Sequence, residues 1–66
     1  MARAEIILKQ TLQHFIRYAG NNEIFHLLDW MEVESYEERI NIDSWAELAC
    51  IGDVYETDKI IVTIID

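Results

Sequence analysis

An α+β fold is the class this sequence predicts, and three observations carry it. The N-terminal stretch spaces its apolar residues by three and four, the C-terminal stretch is dominated by β-branched residues, and the period changes after Ser35. Together they predict an N-terminal amphipathic helix, a second helix, and a small antiparallel sheet or hairpin that ends in the C-terminal strand. With 66 residues, 52% of them apolar, the chain fits a single small acidic domain spanning 1–66. A core of that size supplies about 3–5 kcal/mol of net stability. Two Trp, three Tyr and two Phe are too many for a disordered tail.

The first helix is expected from about Ala2 to Ala19. Ala4, Leu8, Thr11, Leu12, Phe15, Tyr18 and Ala19 stack along one helical face, with Arg3, Lys9, Gln10, Gln13 and Arg17 opposite. Gly20, Asn21 and Asn22 tolerate the left-handed backbone of a helix stop. Asn22 then stands where it caps a second helix, Glu23 to about Val33, with Ile24, Leu27, Leu28 and Met31 on its apolar stripe. Arg39-Ile40-Asn41-Ile42-Asp43 alternates polar and apolar, as a half-buried strand does. Ser44 and Glu47 have the spacing of a capping box, so residues 45–51 read as a short helix closed by Gly52. A strand bulged at Gly52 fits the same residues, since Leu48 and Cys50 alternate too. Val54-Tyr55, a turn at Glu56–Lys59 and the run Ile60–Ile65 form the hairpin.

Charge is the most informative number for function. The net charge is −8, and it is unevenly placed: residues 1–20 hold three cations against one carboxylate, residues 21–66 two against twelve. A field of that sign repels phosphates and anionic lipids, so direct nucleic-acid and membrane binding are disfavoured. It favours a partner with a basic face, and that association weakens as salt rises. The same charge also serves ordinary solubility.

Chemistry has few footholds. Glu32, Glu34, Glu37 and Glu38 lie near His26 and Asp29, but no calcium-loop or His-Glu-x-x-His pattern is present, so no metal site or cofactor is expected. Cys50 is the only cysteine, which leaves it without an internal disulfide partner, and its apolar neighbours read as those of a buried hydrophobe. His14 and His26 have no pattern that brings them to it. Ser35 and Ser44 lack a nucleophile-elbow context, and two glycines cannot build a phosphate loop. The chain is therefore expected not to be an enzyme.

The leading expectation is a cytoplasmic, non-enzymatic binding domain. It docks on a basic protein, such as a nucleic-acid-handling one, with carboxylates imitating phosphates in the manner of virus-encoded inhibitors. The partner-binding residues expected are Glu32, Glu34, Glu37, Glu38, Asp53, Glu56 and Asp58, with Tyr36 and Tyr55 as anchors. The alternative is a homo-oligomeric scaffold, because a strand apolar on both faces needs cover on both. Its interface is expected at Ile60, Ile61, Val62 and Ile64.

Overall fold

A computed structural model describes residues 1–66. The elements are β1 (Arg3–Leu8), β2 (His14–Tyr18), α1 (Glu23–Trp30), α2 (Tyr36–Leu48), β3 (Val54–Glu56) and β4 (Ile60–Ile64). The fold is mixed α+β, with the four strands in one antiparallel sheet of order β2-β1-β4-β3. The first and last strands thus lie side by side in the middle. The chain leaves the sheet at one edge, lays both helices over one face, and returns at the other edge.

The N-terminal helix expected over 2–19 is instead the β1–β2 hairpin. Ala4 and Leu8 satisfy a helical stripe and a strand face equally. What decides is Ile6, absent from that stripe, which is wholly buried between Phe15 of β2 and Val62 of β4. Two consecutive β-branched residues, Ile6 and Ile7, suit a strand flanked on both sides. Leu12, which the helical stripe places in the core, lies in the connecting turn at φ 60° and is 70% exposed. The basic outer face of that helix therefore does not exist; Arg3, Lys9 and Arg17 are dispersed over the hairpin.

The second helix begins at Glu23 as expected but ends at Trp30 rather than near Val33, burying Ile24, Leu27 and Leu28. Gly20–Asn22 is a turn, as expected, with Asn21 and Asn22 both left-handed. Asn22 occupies the cap position, yet its side chain makes no capping bond. The cap comes from elsewhere. Asp43 of α2, 6% exposed, accepts the Phe25 N–H at 3.1 Å, putting a carboxylate at the positive end of α1.

The strand expected over 39–43 is interior to α2. Its start is set by Ser35, whose hydroxyl accepts the Glu38 N–H at 3.1 Å, with Glu37 and Glu38 in the first turn. Ile42, Asp43 and Ala46 form the buried stripe, so the Ile40/Ile42 alternation splits between solvent and core. Ser44 lies mid-helix and does not begin one. Of residues 45–51, those up to Leu48 are helical; Ala49 is extended and Gly52 turns at φ 95°.

The C-terminal hairpin is where it was expected. Thr57 Oγ1 accepts the N–H groups of Lys59 and Ile60 at 3.1 Å, closing its turn. Twelve apolar side chains form the core, Ala4, Ile6, Leu8, Ile60, Val62 and Ile64 from the sheet and the rest mostly from the helices. Side chains alternate along a strand, so Glu5, Ile7, Ile16, Val54, Ile61 and Thr63 share the opposite face. No element covers that face. No helix is long and apolar enough to cross a membrane.

Candidate interaction surface

The chain's two acidic stretches, 32–38 and 53–58, meet through specific bonds. Thr57 donates its hydroxyl to Glu34, and Tyr55 donates its phenol to Glu38. These bonds seat the α1–α2 loop and the start of α2 against the β3–β4 turn. Arg39 fixes the loop from behind, its Nε donating to the Val33 carbonyl and its Nη1 to Asp29, both at 2.9 Å. Glu32 and Glu34 hold left-handed backbone at φ 56° and 65°, a conformation that costs a non-glycine residue about 1–2 kcal/mol. The ties to Asp29, Val33 and Thr57 hold the loop there.

Of the expected binding residues, Glu32, Glu34, Glu37, Glu38, Glu56 and Asp58 share this end of the molecule. Glu56 pairs with Lys9. Asp53 does not belong with them: it lies just before β3, at the end away from the β3–β4 turn, and accepts the Cys50 N–H at 2.9 Å. Tyr36 is exposed and meets Phe25 edge-on, ring centres 5.6 Å apart. Tyr55 is half-buried against Trp45 and ties the edge together more than it presents itself.

Most of the acidic surplus has structural employment. Nine of the thirteen carboxylates accept an internal hydrogen bond or pair with a cation or histidine, leaving Glu32, Glu37, Glu47 and Asp58 without a side-chain partner. Three of those four lie on the acidic edge. Beside it opens a cleft of about 570 Å³ with Leu8, Met31 and Val33 in its lining and Lys9, Lys59, Glu32 and Asp58 among its polar groups. Its two cations and two carboxylates balance.

The Glu38 bond holds the Tyr55 phenol above the usual tyrosine range; burial and the charges of Glu38 and Glu34 add to the effect. A raised folded-state pKa means that this contribution to stability is intact below the ordinary phenol range near 10 and is lost as pH rises through the folded value. Tyr55→Phe is therefore expected to lower the melting temperature at pH 8 and to flatten its decline toward pH 12, a profile that differential scanning calorimetry reads directly. At the opposite side of the sheet Arg3 bonds Asp66, holding that carboxyl below its usual range.

No three His, Cys, Asp or Glu side chains gather as a metal-binding group. His14 faces Glu5 at 3.4 Å and His26 lies edge-on to Phe25. Cys50, expected to be buried, is exposed in the loop after α2. Among the expected oligomer-interface residues, Ile60, Val62 and Ile64 belong to this chain's own core, and Ile61 alone faces outward. The exposed apolar positions that sequence reasoning missed, Ile16, Tyr18 and Val54, sit on strands whose face only the tertiary pairing assigns. Compared with protein-family models, curated proteins and solved structures, the chain matches none.

Proposed function

We propose that this chain is a non-enzymatic binding domain that docks its acidic edge on the basic surface of a nucleic-acid-handling protein. The carboxylates stand in for phosphates, and the chain acts as an inhibitor or modulator of that partner in the cytoplasm. The observation that supports this reading is the joining of residues 32–38 to 55–58 by the Glu34–Thr57 and Glu38–Tyr55 bonds. Glu34, Glu38 and Glu56 brace the edge, while Glu32, Glu37 and Asp58 are left to meet a partner. A braced edge loses little side-chain freedom on binding, which favours affinity. Tyr36, exposed beside Glu37, is suited to anchor the contact.

The test is capture from lysate with the tagged protein, washed at low and at high salt, beside a Glu32→Lys, Glu37→Lys, Asp58→Lys variant. The side chains at these exposed positions make no hydrogen bond or ion pair within the chain, so the variant is expected to fold. Retention of a basic, nucleic-acid-binding protein at low salt is expected, with loss at high salt and at least a tenfold loss in the variant. A retained partner indifferent to salt and to charge reversal would overturn the reading.

A further inference from the structure

We propose that the open face of the sheet is the interface of a homodimer, covered by the same face of a second copy. The surface meets the acidic edge only at Glu56, and the inference does not depend on the docking proposed for that edge. Ile7 and Ile61 lie side by side on β1 and β4 in a row with His14 and Glu56, the next row is Ile16, Glu5, Thr63 and Val54, and Tyr18 and Ile65 lie beyond it. A sheet face that meets only water normally alternates to polar residues. Here five of the ten outward strand positions are apolar, Ile7, Ile16, Tyr18, Val54 and Ile61, with Ile16, Tyr18 and Val54 exposed, beside the polar Arg3, Glu5, His14, Glu56 and Thr63.

Charge identifies the occupant as a second copy. The charged side chains bordering this face are internally matched: Arg3 with Asp66, His14 with Glu5, Lys9 with Glu56. With His neutral, they sum to two cations against three carboxylates, −1 of the molecule's −8. This is the side on which two strongly acidic molecules approach with least repulsion. It offers no particular attraction to a basic partner, which the acidic edge serves better.

Geometry points the same way. Two copies carry the same outline and the same twist, so whole faces meet in an aligned sheet-on-sheet packing about 10 Å apart. The longer dimensions of the Cα trace are 25 and 21 Å. Those dimensions are the whole molecule's, so they cap the face at about 500 Å² per copy and about 1,000 Å² per pair, the size of a weak, reversible interface. Lateral pairing through the strand edges is obstructed. On β2 the Tyr18 N–H is taken by Glu23 at 3.2 Å and the Ile16 carbonyl by Arg17 at 2.8 Å, and β3 offers only three residues.

Sedimentation equilibrium across the micromolar range tests this. The expected result is a reversible species of twice the 7.8 kDa chain mass, persisting or tightening at high salt because screening relieves the like charge. Val54→Lys and, independently, Ile65→Lys are each expected to weaken association about tenfold or more. Ile65 lies beyond the last strand residue, so Ile65→Lys keeps the test sound should Val54→Lys disturb β3; an unchanged far-ultraviolet circular dichroism spectrum verifies each fold. Leu48→Ser, on the helical side, is expected to leave the dimer intact. A monomer at every concentration, or a dimer indifferent to both lysine variants, would overturn the inference. The opposite salt responses of the dimer and the acidic-edge complex keep their failures separate.

Discussion

Ile6→Ala is expected to leave the domain largely unfolded at 25 °C. Ile6 is fully buried on a central strand, between Phe15 and Val62, with the helices above it. Truncating a buried isoleucine to alanine costs about 2–5 kcal/mol, the lost transfer energy plus the cavity left behind. A core of twelve residues in a 66-residue chain has little more than that in total, about 3–5 kcal/mol. Ile6→Val, which removes one methylene, is expected to fold with a lower urea midpoint, a loss of about 0.5–1.5 kcal/mol. Leu12→Ala provides the contrast, because an exposed turn residue changes stability by less than about 0.5 kcal/mol. Urea denaturation followed by circular dichroism measures all three. A helical N-terminus reverses the order, making Leu12 the costly position and Ile6 the tolerant one.

Asp43→Ala is the second large effect expected, a loss of about 1–3 kcal/mol. The carboxylate accepts the Phe25 N–H from across the helix pair, and Asn22, at the cap position of α1, makes no side-chain bond of its own. Alanine at 43 would leave a first-turn donor of α1 without its partner in a half-buried place, and would remove a negative charge from the helix's positive end. Asp43→Asn keeps an oxygen acceptor of the same size and gives up only the charge. Its cost is expected to be about 0.3–1 kcal/mol. Equal losses for the alanine and asparagine variants would contradict the capping role. Hydrogen exchange supplies a second readout: amides of the first turn of α1 are expected to lose protection in the alanine variant before those of the sheet do.

The parts of this fold legible in the sequence are those whose signals are local. The β-branched run at Ile60–Ile64, the Gly-Asn-Asn turn and the Ile24/Leu27/Leu28 stripe each declare their element within a few residues. The N-terminus misleads because Ala4 and Leu8 fit two periods. The partner that selects between them, β4, lies more than fifty residues away in the chain. Around Ile40 and Ile42 the two-residue alternation mimics a strand, while the operative cap is Ser35, upstream of the Ser44 box. The acidic edge was legible as residues but not as a surface. Glu34 and Glu38 find Thr57 and Tyr55 only once the helices are laid over the sheet. Asp53 falls outside it because β3 runs between it and the β3–β4 turn, where Glu56 and Asp58 lie. The two-sided character of β4 was legible as well. Which of its faces the helices cover was not, since both read as apolar.

On the proposed reading, carboxylates at the acidic edge occupy a site on the partner made for phosphates. A competition measurement tests it most directly: the captured partner is bound to labelled duplex DNA and titrated with this chain at low salt. Mutual displacement is expected, weakening as salt rises and failing with the Glu32→Lys, Glu37→Lys, Asp58→Lys variant. A ternary complex, in which this chain binds while the DNA stays in place, would contradict the claim and leave the sheet face as the surface through which the protein acts.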